Sequence, residues 1–265
     1  MTYIKQTLKR IFKLKSLRAK PHFLGIGTQK GGTTTLYRLL KKHPDIFLPE
    51  NKEIHYFTKN YYLGDEWYIN HFQEASPGQI RGEITPYYLF HAAVPGRIKS
   101  FKNNMKFIIL LRDPVERTLS QYFHSVRLGL EDLSLEDALN AEEDRLENSA
   151  SIISKPNGKH LSHQEHSYLS RSRYDIQIKR YSKYFKKKNM LIISSEKFFK
   201  DDGSCMNSIS NFLQVKNFSE GIKITKENQG KGESYNVSDF IKRKIRQRLY
   251  KTYEWIENEI GISWE

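Results

Sequence analysis

The 265-residue chain contains a single cysteine, Cys205, so no disulfide can form within it, and a thiolate-based zinc site would lack its ligands. So few thiols suit a reducing, cytoplasmic setting. No apolar run approaches the roughly 18 to 20 residues that a membrane span needs, and the first residues lack the unbroken apolar core of a secretory signal. At 38% hydrophobic and 13% aromatic residues the chain is nevertheless too rich in core formers for disorder throughout, and its length suits one domain.

Acids are outnumbered, with 44 Lys plus Arg against 30 Asp plus Glu, a net charge of +14. Residues 1–20 carry Lys5, Lys9, Arg10, Lys13, Lys15, Arg18 and Lys20 with no acid, half of that excess. Ile4, Leu8, Ile11 and Phe12 recur among them at helical spacing. Two readings stand open for this leader: a solvated helix with one face docked on the body, or a basic amphipathic helix making peripheral contact with an anionic membrane surface. The rest, residues 21–265, shows no repeat or linker and reads as a single domain.

Two further charge runs read as packed helices with solvated faces. One is the acidic segment Glu131 to Glu147; the other runs through Lys242, Arg243, Lys244, Arg246, Arg248 and Lys251, with Phe240, Ile241, Ile245, Leu249 and Trp255 as its apolar stripe.

The remaining pattern alternates strand and helix. Residues 22–27 (HFLGIG) form a short apolar run ending in glycine, followed by a glycine-rich turn and a helix with Leu36, Leu39 and Leu40 on one face. Residues 45–57 and 81–86 suit further strands. Residues 105–111 (MKFIILL) are a continuous apolar run suited to a strand buried on both faces. Asp113 and Pro114 then fit the N-cap and first position of a helix. Helix over SRYDIQIKRYSKYF and strand over NMLIIS complete an α/β order, which predicts a P-loop-like three-layer fold with a central parallel β-sheet flanked by helices.

In such sheets ligands sit where strands end and helices begin. The loop GTQKGGTT there offers backbone amides, a helix N-terminus, Lys30 and the hydroxyls of Thr33 and Thr34 as donors to a phosphate. It departs from the ATP-binding rule G-x-x-x-x-G-K-[ST], because Thr33 stands where the lysine belongs and the lysine precedes the glycine pair. A Lys-Gly-Gly-Thr loop of this kind resembles the 5′-phosphosulfate loop of sulfotransferases that use 3′-phosphoadenosine 5′-phosphosulfate (PAPS), nearest to the heparan-sulfate type and its bacterial relatives. The second cue is LLRDPVERTLSQYFH, where Arg112 and Ser120 are similar to the family's 3′-phosphate clamp; their spacing of eight residues, about two helical turns, lets both face one group.

The resemblance, carried by residues 22–125, implies donor contacts from Gln29, Lys30, Gly31, Gly32, Thr33, Thr34, Arg112 and Ser120. It implies a proton acceptor in NKEIHYF, at Glu53 with His55 as partner or as the base itself, and Lys30 stabilising the leaving phosphate. Lys231 and Gly232 resemble the family's Lys-Gly loop, against a plain flexible turn. Ile84 replaces a lysine common in GEITP-type segments, which suggests a smaller or less acidic acceptor than a sulfated polymer. PAPS, leaving adenosine 3′,5′-bisphosphate, needs no metal, and His160, His163 and His166 lack the acids of a ligand set. The implied acceptor is a carbohydrate or small specialised metabolite bearing a hydroxyl or amine. The rivals are a P-loop kinase, which the displaced lysine disfavours, and a basic nucleic-acid-binding protein, for which no recognisable motif is present, so no nucleic-acid partner is expected.

Overall fold

The computed structural model describes residues 20–200, 203–218, 224 and 236–264. The leader up to residue 19, and Lys231 and Gly232, lie outside the described residues.

Five strands, β1 (Phe23–Gly27), β2 (Ile46–Phe47), β3 (Ile80–Ile84), β4 (Lys106–Leu111) and β5 (Met190–Ser194), form one sheet in the order β2-β3-β1-β4-β5. Every pairing is parallel. Between β1 and β2 runs α1 (Thr33–Lys41), and between β2 and β3 runs α2 (Gly64–Asn70). After β3 come α3 (Tyr87–Phe90) and α4 (Val94–Phe101), and β4 leads into α5 (Pro114–Arg127). Short helices α6 (Leu135–Asn140), α7 (Glu142–Arg145), α8 (Ser149–Ser154) and α9 (Leu161–Glu165) precede α10 (Tyr174–Ser182). Beyond β5 are α11 (Ser195–Lys200), α12 (Ser204–Leu213), α13 (Asp239–Arg248) and α14 (Tyr250–Ile260).

The layering follows from strand periodicity. In β4, Phe107, Ile109 and Leu111 join one buried cluster, with Tyr88, Tyr181 and Phe185, while Ile108 and Leu110 join the other, with Leu36, Leu40, Phe198 and Ile209. Alternate side chains thus fill both faces, the reason the strand reads as an unbroken apolar run. Phe107 is fully buried, and truncating it to alanine would cost about 3–5 kcal/mol.

The turn from β4 into α5 forms as its sequence predicts: Asp113 Oδ1 accepts the Glu116 N–H at 2.8 Å, and Pro114 occupies the first helical position. Two helix expectations need correction. The acidic segment is no single solvated helix but α6 and α7 with turns around them, because two of its acids serve as internal acceptors. Glu131 takes the Arg145 guanidinium and the Tyr168 hydroxyl, and buried Glu142 accepts the backbone N–H groups of Leu169 and Ser170, both at 2.7 Å. The C-terminal basic stretch is divided at Leu249 into α13 and α14, with Leu249 itself buried between them. No described helix is long and apolar enough to cross a membrane.

Candidate active site

The loop between β1 and α1 is tied to the end of β4. Thr28 donates to the Leu110 carbonyl through both its N–H (2.7 Å) and its hydroxyl (2.9 Å), and the Ser195 hydroxyl at the start of α11 donates to the Gly31 carbonyl at 2.6 Å. A Cβ on Gly31 would lie 2.8 Å from the Leu110 carbonyl oxygen and 2.6 Å from the Thr28 hydroxyl, so only glycine closes this turn. Gly32 enters α1 in the left-handed region, with φ of 94°, and Lys30 takes it too, at 68°, a conformation costing a non-glycine residue about 1–2 kcal/mol.

The first turn of α1 has no side-chain cap from its N-cap residue and no acidic residue, so no carboxylate of its own offsets the positive end of the helix dipole there. Thr33 is buried and Thr34 half-buried in that turn. Loop, helix end and Lys30 together have the chemistry of an oxyanion cradle.

Arg112, just beyond β4, reaches the same loop. Its Nη1 donates to the Lys30 carbonyl and its Nη2 to Glu116, each at 3.3 Å, while the Tyr174 hydroxyl donates to the Arg112 carbonyl at 2.9 Å. Ser120 stands half-buried on α5, the helix that begins two residues after Arg112. Burial pushes the Lys30 ammonium down to about 8, and Arg127, Arg112 and Arg117 push the same way. His124, further along α5, is lowered by burial and by Lys30 and Arg127. A loop held among so many cations favours an anion.

Glu53 and His55 come from the irregular segment after β2. Ile54 is buried between them, and His55 Nε2 is 3.3 Å from Glu53 Oε2; the two meet not through strand alternation but across a turn in which His55 takes the left-handed region, with φ of 56°. Lys52 Nζ holds the other carboxylate oxygen at 2.7 Å. Burial raises the Glu53 carboxyl, but the His55 hydrogen bond and the Lys52 charge outweigh it and hold the group at about 2. Glu53 is thus ionised at neutral pH, a proton acceptor whose basicity is restrained by its own neighbours.

Beneath this segment lies Glu83, which sequence reasoning passed over. Fully buried on β3, it accepts the hydroxyls of Tyr88 (2.6 Å), Tyr68 (2.9 Å) and Thr85 (3.3 Å) and the backbone N–H of Ile54, between Glu53 and His55. Burial lifts its carboxyl to about 7. The neighbouring Ile84 does not line a cleft. It is fully buried against Gly25 of β1, so its replacing a lysine says nothing about the charge of an acceptor.

Arg171 was missed as well, since no motif in SRSRYD marks it. It is buried, and its Nη1 donates to Gln29 in the first loop while Nη2 donates to the carbonyls of His163 (2.8 Å) and Gln164 (2.7 Å). The three histidines at triplet spacing are structural here. His163 is buried, takes the Tyr87 hydroxyl at 2.7 Å and stacks on Phe90; His160 caps α9; and His166 meets the Leu130 carbonyl. Among the described residues no three potential ligands cluster around a metal position.

A family model described as "Sulfotransferase domain" matches residues 20–254. Among curated proteins, the membrane-associated sulfotransferase kil1 of Dictyostelium discoideum is 44% identical over 40% of this chain and 23% of its own length. The heparan sulfate glucosamine 3-O-sulfotransferase 3B1 of Mus musculus is 26% identical over 81% of this chain and 54% of its own. The chain therefore spans between about a quarter and about half the length of these relatives. Among solved structures, a sulfotransferase from Alicyclobacillus acidocaldarius superposes with a TM-score of 0.74 at 24% identity, covering 92% of this chain and 97% of that one. A mouse sulfotransferase, SULT7A1, complexed with PAP superposes at 0.51 with 18% identity, covering 92% and 86%. These two likenesses concern the fold.

Proposed function

The chain belongs to the sulfotransferase domain family, and from that membership and the geometry of its first loop we propose that it transfers a sulfo group from PAPS to a carbohydrate hydroxyl. The observation that carries the reading is the Lys30 loop itself: a lysine ahead of a glycine pair, an uncapped helix start behind it, and Arg112 bonded to the lysine's carbonyl. The donor supplies an activated sulfo group on its 5′-phosphate.

The loop amides, Thr33 and Thr34 bind that phosphate. Arg112 and Ser120 grip the 3′-phosphate, the group that separates this donor from ATP. Glu53 takes the proton of the acceptor hydroxyl as the new sulfur–oxygen bond forms. The sulfur–oxygen bond to the 5′-phosphate breaks, and the Lys30 ammonium stabilises the charge gathering on the departing phosphate oxygen. His55 and Lys52 fix the orientation of Glu53. A carbohydrate acceptor is supported by the heparan sulfate relatives.

Calorimetric titration of the protein with adenosine 3′,5′-bisphosphate and, separately, with ATP tests the donor. Preference for the bisphosphate is the expected result, and preference for ATP would overturn the reading in favour of a kinase.

A further inference from the structure

Arg171 is the least accounted for of the buried cations. A buried guanidinium is normally balanced by a carboxylate, since moving a charge out of water costs several kcal/mol. Arg171 is 3% exposed, has no ion pair among the described residues, and leaves its Nε without an acceptor. Its charge is met by neutral groups instead: two carbonyls of the His163–Gln164 segment, the faces of Tyr87 and Phe90 at 5.2 and 5.0 Å, and the side chain of Gln29. Burial lowers the guanidinium, against the opposing influence of Tyr87 and of the more distant charges of Glu165, Glu142 and Glu53.

The contact to Gln29 carries a directional consequence. Arginine has donors and no acceptor, so the Gln29 amide must present its oxygen to Arg171. Its two N–H groups are then turned away from the guanidinium. Gln29 immediately precedes Lys30, and from Arg171 a chain of contacts leads toward Glu53: the guanidinium lies over the Tyr87 ring at 5.2 Å, Tyr87 is edge-on to His55 with 6.2 Å between ring centroids, and His55 holds Glu53. With the roles proposed for Lys30 and Glu53, a group passing from phosphate to acceptor travels between them.

We propose that Arg171 is a positioning residue that locks the Gln29 amide with its N–H pair toward the transferring sulfo group, making Gln29 the side chain that distinguishes the loaded donor from the spent one. The inference rests on the reading of the donor as PAPS. Two independent contacts anchor the lock: the carbonyls hold Nη2 while Gln29 takes Nη1, a fork that a lysine at this position cannot reproduce.

The test compares binding of PAPS with that of adenosine 3′,5′-bisphosphate, which lacks the sulfo group, in the wild type, Gln29→Met, Arg171→Lys and the double variant. Both single variants should weaken PAPS by roughly 10- to 100-fold, the worth of a hydrogen bond to a charged group, while leaving the bisphosphate nearly unchanged. The double variant should lose no more than either alone. Gln29→Met, on a half-buried loop position, keeps the test alive if the change at Arg171 unfolds the protein. Equal loss for both ligands, or no loss for either, overturns the positioning role. A wild type that binds neither ligand overturns the donor reading and this inference with it, and is recognisable because it fails before any substitution is made.

Discussion

Arg112 donates from Nη1 to the backbone carbonyl of Lys30 at 3.3 Å, joining two loops 82 residues apart in sequence. The bond turns a side chain implied in binding the 3′-phosphate into a support for the loop implied in binding the 5′-phosphate. Arg112→Ala should therefore weaken adenosine 3′,5′-bisphosphate by about 10- to 100-fold, whereas Ser120→Ala, which removes one neutral donor, should cost less than about 10-fold. Binding of AMP, which has no 3′-phosphate, should fall with Arg112→Ala as well, because the loop loses its strut, but should be untouched by Ser120→Ala. Titration calorimetry on the three proteins separates the two effects.

Lys30 gives a pH dependence whose sign follows from its lowered pKa. Below about 8 the side chain of the free protein is the ammonium; as pH rises through 8 it becomes a neutral amine and the cradle loses a charge. Affinity for adenosine 3′,5′-bisphosphate should decline above pH 8, and in Lys30→Arg, whose guanidinium stays charged, that decline should vanish. Binding measured from pH 6.5 to 9.5 checks it.

Glu53→Gln should lower turnover by about 10²- to 10⁴-fold while nucleotide affinity holds, the expected cost of removing a general base. Lys52→Met should have the opposite tendency on basicity. It frees one oxygen of Glu53 from a 2.7 Å ion pair and lets the carboxyl rise from about 2, so the acidic limb of the rate profile should move to higher pH. A pH–rate profile for the two variants and the wild type distinguishes a catalytic carboxylate from a structural one.

Much of the scaffold is legible in the sequence because it rests on local rules. The unbroken apolar run of β4, the Asp113–Pro114 helix start and the displaced Lys30 each announce themselves within a dozen residues. The nearness of Glu53 and His55 was readable from their spacing, but its cause was not: His55 turns back in the left-handed region, where the spacing predicts an extended run. Arg171 and Glu83 were not, since their meaning lies in partners far along the chain: Arg171 answers to Gln29, 142 positions away, and Glu83 to the backbone of Ile54. The acidic stretch misled because charge density marks a solvated face only until some of its members, here Glu131 and Glu142, find internal donors.

Glu83 gives a stability prediction. Glu83→Leu strands the hydroxyls of Tyr68 and Tyr88 without their acceptor and should cost about 2–5 kcal/mol in urea unfolding. The wild-type dependence on pH has a definite sign. Because the folded pKa is raised, to about 7 from 4.5, the contribution of Glu83 is fully present below pH 4.5 and is lost as pH climbs through 7. Glu83→Gln, which cannot ionise, should flatten that part of the stability profile.

The most direct measurement is incubation with PAPS and a panel of glucosamine-containing oligosaccharides, sulfated and unsulfated, followed by mass spectrometry of the oligosaccharides. A gain of one sulfo group on at least one member, dependent on PAPS and abolished in Lys30→Ala, is the predicted result. Transfer that persists undiminished in Lys30→Ala, or phosphate gained from ATP in place of sulfo from PAPS, would contradict it.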